Sequence, residues 1–267
     1  MQKFTIVSND YEITKKSVEK LKSTLIDKKY IQDDINPEIV FVIGGDGTFL
    51  KAVHLYQNIL EKVKLIPFKF GGIGYYTNKN ELKNIEKILE ALEKNLLFEN
   101  SYQLLEVING SKTHYIINEI RILNERKPLY TKIYINDEYL ETFHGTGLVI
   151  STSTGSTGYI KSAGGSVILP KNAGLFQIQE LVPVSTNRFR TLNSPIILND
   201  KYVVKLEFET NQDILICDTQ EREMKSNFLS IKVSHKKVNI LSHNNPDLIS
   251  EINILREIFI IDKKEVK

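Results

Sequence analysis

The chain has 267 residues, of which 41% are hydrophobic and 25% charged, a composition typical of globular proteins that excludes a disordered or fibrous chain. The net charge of +2 is close to balance and the basic residues are scattered among acids, so we expect no nucleic-acid partner. No apolar stretch approaches the about 20 residues that cross a bilayer, and the N-terminus has no signal-like apolar segment. We therefore expect a cytoplasmic protein without a membrane partner. The single cysteine, Cys217, excludes an internal disulfide, and its apolar neighbours favour a buried thiol.

Strand and helix patterns alternate over residues 1–97. A strand is predicted at residues 3–8, followed by a helix that Asp10 can cap and whose apolar residues are Val18, Leu21 and Leu25. A second strand leads into a helix over residues 48–58. A third strand, at residues 64–68, precedes a helix with apolar positions at Leu82, Ile85, Ile88, Leu89 and Leu92. This alternation favours an α/β domain with a parallel sheet and crossover helices.

Residues 39–50 have the sequence Ile-Val-Phe-Val-Ile-Gly-Gly-Asp-Gly-Thr-Phe-Leu, an apolar run that breaks into glycines around one acid. The pattern predicts a buried strand, a tight turn and a helix start, where backbone N–H groups and the positive end of the helix favour phosphate oxygens. A carboxylate would repel a phosphate. Asp46 therefore has two interpretations: it caps the helix, or it handles a sugar hydroxyl, a metal or a proton.

A second glycine segment, Gly71-Gly72-Ile73-Gly74-Tyr75-Tyr76, follows the third strand. Ligands of open parallel sheets bind beyond the carboxyl ends of the strands, which is where both glycine segments are expected to lie. Tyr75 and Tyr76 either offer an aromatic face to a base or belong to the core.

The pattern changes at residue 98, after which alternating strands and hairpin signals replace helices. Hairpin turns are predicted at Asn109-Gly110 and at Asn136-Asp137, the second between strands at 131–135 and 139–143. Further strands are expected at 147–150, 196–197, 203–208, 214–217 and 228–233. A last helix over 248–259 presents Ile249, Ile252, Leu255 and Phe259 on one broad face. We therefore predict an α/β domain at 1–97, joined by a returning helix within 245–267, and a mostly-β, β-sandwich-like domain at 98–244.

Two polar segments stand out in this β domain. Residues 151–165 are dense in hydroxyls and glycine, and they directly follow a buried-looking strand, which favours a pocket wall over a flexible linker. The pair Asn118-Glu119 interrupts a strand-like run from residue 115 to 123. Burial of an amide and a carboxylate there is costly without partners, so the pair suggests a ligand site or a catalytic network.

These segments together resemble the NAD kinase family, whose members phosphorylate the 2′-hydroxyl of the adenosine ribose of NAD to make NADP. Residues 44–48 match the family signature Gly-Gly-Asp-Gly-Thr, and residues 71–75 look like its second glycine loop. Asn118-Glu119 matches its Asn-Glu/Asp pair, and residues 152–159 resemble its Thr-Pro-Thr-Gly-Ser-Thr-Ala-Tyr segment. The first signature alone also occurs in diacylglycerol and related lipid kinases, and the other three segments distinguish the families.

The resemblance implies a role for each matched residue. Asp46 would act on the 2′-hydroxyl as base or orienter, while Gly45 and Gly47 would give the phosphates close backbone access. Asn118 would bind adenine with Thr154 and Thr157, and Glu119 would hold a ribose hydroxyl. The remaining implied substrate-binding residues are Gly74, Tyr75, Gly158, Tyr159 and Ser162; Tyr75 would lie against the adenine, and Ser162 would act across a subunit boundary. The family assembles as a homotetramer, so a homo-oligomer, dimer or tetramer, is expected.

The departures from the family pattern leave alternatives open. Ser153 and Gly158 replace the usual Pro and Ala, which is expected to loosen the loop. Thr146 replaces an Asp, and Thr219 replaces a Gly. A dinucleotide-binding sensor without catalysis is therefore one alternative, and a lipid kinase is another.

The sequence has neither a P-loop nor a Gly-x-Gly-x-x-Gly fingerprint. Phosphoryl transfer needs mainly positioning and charge neutralisation, so one Asp, backbone amides and Mg²⁺ or another divalent cation on the donor can suffice. No side chain is assigned to a metal. ATP and polyphosphate remain equal candidates for the donor.

Overall fold

A computed structural model of the chain describes residues 2–69, 74–77, 80–187, 190–210, 212–243 and 251–260. The chain forms two compact units. The first contains residues 1–101 and 238–267, and the second contains residues 102–237. Of the second glycine segment, Gly71, Gly72 and Ile73 lie outside the described residues.

The first unit is a parallel sheet with helices. Its strands are β1 (Lys3–Ser8), β2 (Ile31–Gln32), β3 (Ile39–Gly44) and β4 (Lys64–Lys69). Its helices are α1 (Glu12–Asp27), α2 (Asp46–Leu55), α3 (Ile85–Glu93) and α5 (Glu251–Phe259). The strand order is β2–β1–β3–β4, every neighbouring pair is parallel, and residues 239–240 add a further parallel pairing to β4. The predicted α/β domain with a parallel sheet is confirmed.

The sheet of this unit is buried because its central strand is apolar on both faces. All six residues of β3 are buried, as expected for a strand covered by crossover helices. Leu21 and Leu25 of α1 and Ile88 and Leu89 of α3 pack into the same core. The sheet therefore holds the end of β3, where the glycines follow, in a rigid position.

Two details of the helices differ from the prediction. Helix α1 begins at Glu12 after Tyr11, without a side-chain cap, so Asp10 is not the cap. In α5, Ile254 is the buried residue, whereas Ile252 and Phe259 are exposed, so the predicted apolar face is wrong. The buried side of the helix is centred on Ile254, with Leu255 and Ile258 partly buried beside it.

The second unit consists mainly of antiparallel strands. They are β5 (Phe98–Asn109), β6 (Lys112–Ile116), β7 (Glu119–Leu123), β8 (Leu129–Ile135), β9 (Glu138–Thr152), β10 (Leu175–Pro183), β11 (Ile196–Asn199), β12 (Val203–Phe208), β13 (Ile214–Cys217), β14 (Gln220–Arg222) and β15 (Phe228–Ser242). A short helix, α4 (Tyr159–Ser162), follows β9 after a 3₁₀ turn at Thr154–Thr157. Strand β9 is central: its first half pairs with β8, and its second half pairs with β7 and β10. The predicted mostly-β region is confirmed.

Both predicted hairpins are present. Asn136 and Asp137 connect β8 to β9 with φ of 51° and 68°, the left-handed pair that a two-residue type I′ turn requires. Gly110 connects β5 to β6 with φ of 61°. Asn and Gly occupy these positions because they tolerate left-handed backbone better than other residues do.

Sequence periodicity missed three features of this unit. The strands predicted at 139–143 and 147–150 are one continuous strand, β9, and the strand predicted from 228 continues to Ser242. Strand β10 was not predicted. Its buried polar residues, Gln177, Gln179 and Glu180, hide the apolar pattern that marks a strand.

Candidate functional site

In the first unit, Asp46 is the first residue of helix α2 and follows the N-cap residue Gly45. Its side chain does not cap its own helix. One carboxylate oxygen accepts from Tyr75 N at 2.6 Å, and the other accepts from Tyr76 N at 3.0 Å, from Thr77 N at 3.3 Å and from Thr77 Oγ1 at 3.3 Å. Asp46 therefore anchors the segment after the second glycine loop through consecutive backbone amides.

The glycines around Asp46 divide into two kinds. A Cβ atom at Gly74 would lie 2.0 Å from Thr77 Oγ1 and 2.9 Å from Asp46 Oδ1, so the anchored loop excludes a side chain there. A Cβ atom at Gly45 or Gly47 would meet nothing within 4 Å. The backbone at Gly45 and Gly47 thus faces open space beside the start of α2, where a phosphate can approach the N–H groups.

The aromatic residues of this loop are part of the core. Tyr75 and Tyr76 are both buried, and the Tyr76 ring stacks on Phe49 of α2 with ring centroids 4.6 Å apart. The Tyr75 ring meets Tyr76 edge-on at 5.9 Å. The sequence left two interpretations of these tyrosines, an aromatic face for a base or a place in the core, and Tyr76 belongs to the core.

In the second unit, Asn118-Glu119 lies where the chain passes from β6 into β7. The predicted interruption of the strand is therefore real. The break is held by Asp218, whose carboxylate accepts from Ile117 N at 3.2 Å, Asn118 N at 2.7 Å and Glu119 N at 3.2 Å. Asp218 has φ of 53° and is 2% exposed, in the turn between β13 and β14. A buried carboxylate from a distant strand thus fixes the backbone that presents Asn118 and Glu119.

The carboxyl group of Glu119 is buried with few hydrogen bonds or opposite charges to offset its loss of solvation. It is 6% exposed, and Oε2 has no hydrogen-bond donor among the described residues. Burial, with the nearby Asp218 carboxylate, raises the pKa of Glu119 from its ordinary value near 4.5 to about 7, although Arg121 opposes the shift. An acceptor held in this state is suited to a ligand hydroxyl, which would supply the missing donor.

The hydroxyl-rich segment packs directly on this break. Thr152 N donates to Asn118 O at 2.9 Å, and Thr152 Oγ1 donates to Ile117 O at 2.6 Å. A Cβ atom at Gly155 would lie 2.2 Å from Asn118 O, so only glycine allows this approach. The segment is part of the folded structure, as the pocket-wall interpretation predicted.

The departures from the family pattern have structural consequences here. Ser153 N and Oγ both donate to Leu175 O, at 3.0 and 2.7 Å. A proline at this position would lack the N–H donor. A Cβ atom at Gly158 would lie 3.2 Å from Glu119 Oε2. Thr146 is exposed on β9, and Thr219 is exposed beside Asp218.

The other predicted binding residues surround these contacts. Thr154 is buried and its Oγ1 donates to Lys171 O at 3.4 Å, while Thr157 Oγ1 donates to Thr154 O at 3.3 Å. Tyr159 starts α4, and the guanidinium of Arg121 lies 4.6 Å from the centroid of its ring. Ser162 is exposed at the end of α4.

Sequence reasoning missed Thr77, Arg121 and the contact made by Asp218. Thr77 comes directly after the second glycine segment, and Arg121 comes two residues after Asn118-Glu119. Their closeness to these motifs is the only sequence feature that could have marked them as site residues. The contact of Asp218 has no local signal, because Asp218 lies 99 positions after Glu119 in the chain.

Other titratable groups do not add to the site. Burial raises the pKa of the Cys217 thiol to about 12, consistent with a buried, unreactive side chain. Within the described ranges, no group of three or more His, Cys, Asp or Glu side chains is placed to hold a metal ion. No helix in that part of the chain is long and apolar enough to cross a membrane.

Known proteins resemble the chain over most of its length. Residues 5–96 match the family model described as the ATP-NAD kinase N-terminal domain, and residues 117–242 match that of the ATP-NAD kinase C-terminal domain. An NAD kinase of Lactobacillus johnsonii is 38% identical over 216 residues, which are 79% of each chain. An NAD kinase of Latilactobacillus sakei is 30% identical over 274 aligned positions, covering 99% of this chain and 100% of the relative. The chain therefore belongs to the NAD kinase family.

Two solved structures share the fold at low sequence identity. Yeast NADH kinase complexed with NADH superimposes with a TM-score of 0.81 at 17% identity, covering 100% of this chain and 90% of the other. An NAD kinase from Archaeoglobus fulgidus in complex with ATP gives a TM-score of 0.76 at 17% identity, covering 96% and 99%. The predicted fold class is confirmed.

Proposed function

We propose that this protein transfers a phosphoryl group from ATP to the 2′-hydroxyl of the adenosine ribose of NAD, giving NADP. The observation that carries the proposal is Asp46, a carboxylate at the first turn of α2 beside the open backbone of Gly45 and Gly47. Membership of the NAD kinase family supports this choice of reaction over a lipid kinase. ATP is preferred to polyphosphate because a structural relative is described in complex with ATP.

We assign Asp46 as the residue that orients the acceptor hydroxyl and takes its proton. A carboxylate is a far weaker base than a ribose alkoxide, so the proton moves late, as the new P–O bond forms. Both carboxylate oxygens accept hydrogen bonds from Tyr75–Thr77, which fix their direction. Catalysis then comes mainly from positioning and from the amides that receive the phosphoryl oxygens.

In the proposed complex, the second unit holds the acceptor NAD. Asn118 binds the adenine together with Thr154 and Thr157, and Glu119 accepts a ribose hydroxyl through Oε2. Tyr159 and Gly158 line the same pocket. Gly74 and Tyr75 of the first unit stay predicted substrate-binding residues, as the family resemblance implies.

The cation and the assembly belong to the same proposal. Enzymes of phosphoryl transfer hold Mg²⁺ largely through substrate phosphates, so we assign the divalent cation to the phosphates of ATP. When bound, it would neutralise charge on the transferred group.

A homo-oligomer, with Ser162 acting across a subunit boundary, and a cytoplasmic location stay predictions. We also propose that phosphoryl transfer resides in the domain at 1–97 with 245–267, and NAD recognition in the domain at 98–244.

The test is an NAD phosphorylation assay with ATP or polyphosphate and Mg²⁺, read out by an NADP-specific dehydrogenase. The wild-type protein is expected to form NADP with ATP, and Asp46→Asn to lose turnover because the amide cannot accept the proton. Thr77→Val is the matched control: it removes one hydrogen bond to Asp46 but leaves the carboxylate in place.

The outcomes separate the alternatives. If Thr77→Val loses activity as completely as Asp46→Asn, the main role of Asp46 is to anchor the loop, and the assignment as base is wrong. Calorimetric binding of NAD without NADP formation by any donor would establish a dinucleotide sensor instead. Phosphorylation of diacylglycerol in vesicles, without NADP formation, would support a lipid kinase.

A further inference from the structure

The sheet in the second unit has one core face and one face with both polar and apolar side chains, and Arg121 lies on the mixed face. Ile120 and Ile122 of β7 are in the core, so alternation places Glu119 and Arg121 on the opposite face. Across the sheet, Arg121 pairs with Val149 of β9, which pairs with Gln179 of β10. Helix α4 covers this face through Ile160, which packs against Val149. Arg121 is therefore a charged residue between Glu119 and the start of α4.

The guanidinium of Arg121 contacts three parts of the candidate NAD site. It lies over the Tyr159 ring, 4.6 Å from the centroid. Its Nη2 donates to the backbone oxygen of Asp218 at 3.1 Å. Its Nε lies 4.0 Å from Glu119 Oε1, an ion pair too long for a hydrogen bond. One side chain thus joins β7, the Asp218 turn and α4.

Arg121 and Glu119 each have a buried polar atom that lacks a hydrogen bond in the described structure. Among the described residues, neither Nε of Arg121 nor Oε2 of Glu119 has a hydrogen-bond partner, although both atoms are buried. Their side chains are 21% and 7% exposed. Such atoms cost free energy unless a ligand or a small movement satisfies them, so the arrangement favours a function over simple packing.

We propose that Arg121 is a positioning residue for the NAD acceptor: it holds the Tyr159 ring at the pocket wall and keeps Glu119 available as a charged acceptor for a ribose hydroxyl. The proposal rests on the proposed function of the site. It assigns Arg121 no contact with the reacting atoms. A stacked guanidinium orients the ring, and its positive charge stabilises the neighbouring carboxylate.

Two charged groups face Glu119 in the described structure, and a third titratable side chain, Tyr159, contacts one of them. Asp218 opposes ionisation from the turn after β13, Arg121 favours it from β7, and the Tyr159 ring lies against Arg121 from α4. Ser151 of β9, the cross-strand neighbour of Glu119, is neutral. Removal of the Arg121 charge leaves Asp218 and burial unopposed, so Glu119 ionises only at higher pH.

The experiment measures kcat and KM for NAD from pH 6 to 9 in the wild-type protein, Arg121→Gln and Arg121→Lys. Arg126→Gln is the matched control, since Arg126 is exposed on the next turn and lies outside the site. In Arg121→Gln we expect KM for NAD at pH 7 to rise about tenfold with a smaller change in kcat, from loss of the desolvated cation contact. We also expect the midpoint of kcat/KM to move to higher pH.

Arg121→Lys and Tyr159→Leu separate the two parts of the role. Arg121→Lys keeps the charge but loses the planar stacking, so it should retain the wild-type pH midpoint while KM rises. Tyr159→Leu should raise KM and also keep the midpoint. These two variants keep the test decisive if Arg121→Gln fails to fold.

The proposal is overturned if Arg121→Gln, or Arg121→Lys where the first does not fold, has the KM and pH midpoint of the wild type. Loss of kcat alone would also overturn it, since it would place Arg121 in phosphoryl transfer. Wild-type protein that forms no NADP contradicts the proposed function instead. In that case, calorimetric NAD affinity of the same variants between pH 6 and 9 decides the role of Arg121 in binding.

Discussion

Asp46 and Asp218 each hold a loop through the same kind of contact, a carboxylate that accepts from consecutive backbone N–H groups. Asp46 binds the amides of Tyr75–Thr77, and Asp218 binds those of Ile117–Glu119. Charge-assisted hydrogen bonds of this kind are stronger than neutral ones and define the direction of the backbone. Asp218 thus positions side chains of the proposed binding site without a ligand contact of its own, whereas Asp46 both holds its loop and is the proposed base.

The glycines beside Asp46 allow a paired test of steric fit and function. Gly47→Ala is expected to change the free energy of unfolding by no more than about 1 kcal/mol, and in the stabilising direction, because the new Cβ enters open space within helix α2. NAD phosphorylation should nevertheless fall, since the methyl group occupies the approach of a phosphate. Urea unfolding and the NADP-coupled assay measure the two effects.

Gly74→Ala serves as the opposite case. Its Cβ would collide with Thr77 Oγ1 and Asp46 Oδ1, so we expect a loss of about 1–3 kcal/mol of stability.

If Gly47→Ala keeps full activity, phosphate does not approach the backbone at residue 47.

The raised pKa of Glu119 predicts a specific pH dependence of stability. Because this pKa is about 7 in the folded protein, above its ordinary value near 4.5, Glu119 favours folding most below pH 4.5 and loses that contribution as pH rises through 7. Neutral Glu119→Gln should therefore be more stable than wild type at pH 8, by up to about 3 kcal/mol, and nearly equal at pH 5. Urea midpoints without NAD measure this difference.

The exposed residue Glu125 provides the control. Glu125→Gln should behave as wild type at both pH values. An equal effect of Glu119→Gln at pH 5 and pH 8 would contradict the titration of Glu119 near neutrality.

At the scale of elements, strands β7, β9 and β10 form a platform with a core face and a site face. Ile120, Ile150 and Ile178 point to the core, while the alternate positions carry Glu119, Ser151 and Gln177. Short elements then complete the site, namely the 3₁₀ turn and α4. A one-residue register slip of β7 would exchange the two faces, so the apolar core also determines which polar groups face the ligand.

Strands β9 and β10 also carry a pair of close carboxyl groups, Glu141 of β9 and Glu180 of β10. Both bind the segment before β11: Leu192 N donates to Glu141 at 2.8 Å, and Thr191 Oγ1 donates to Glu180 at 2.7 Å. Burial, together with a hydrogen bond to the neighbouring Glu180 carboxylate, raises the pKa of Glu141 to about 7. Glu141 therefore carries a proton below neutral pH and a negative charge above it.

We expect the segment at Thr191–Asn193 to loosen as Glu141 becomes charged beside Glu180. Hydrogen exchange of the Leu192 amide, corrected for intrinsic rate, should be faster at pH 8 than at pH 6. Glu141→Gln should remove this pH dependence, whereas Thr191→Val should speed exchange at both pH values. Exchange that is independent of pH in the wild type would contradict the titration of Glu141 near pH 7.

At the scale of the molecule, binding of NAD couples to folding. A ligand of the folded state at 100 times its Kd adds about 2.7 kcal/mol to the stability. For a chain of 267 residues we expect NAD to raise the Tm by several degrees. Thermal unfolding with and without NAD measures the shift.

The variants used above serve as controls for this shift. Glu125→Gln should keep it, and Glu119→Gln should lose most of it at pH 8, because the charged acceptor for the ribose is absent. A full shift in Glu119→Gln would contradict the proposed contact between Glu119 and NAD.

Local sequence was sufficient for much of the fold. The apolar run at 39–43 predicted β3, the alternation predicted a parallel sheet, and Asn136-Asp137 predicted a hairpin. These features depend on neighbouring residues, whose propensities act without distant contacts. The cap assigned to Asp10 and the buried face of α5 were wrong, because tertiary contacts decided among locally equivalent choices.

The sequence by itself determined the segments that carry the chemistry: the glycine turn around Asp46, the pair Asn118-Glu119 and the hydroxyl-rich segment after β9. Only the tertiary structure decided what holds them. Asp46 is bound to Tyr75–Thr77, Asp218 to the break at Asn118, and Arg121 to Tyr159. The physical reason is that such contacts join residues far apart in the chain, and burial then sets the charge of groups such as Glu119, which residue type alone does not specify.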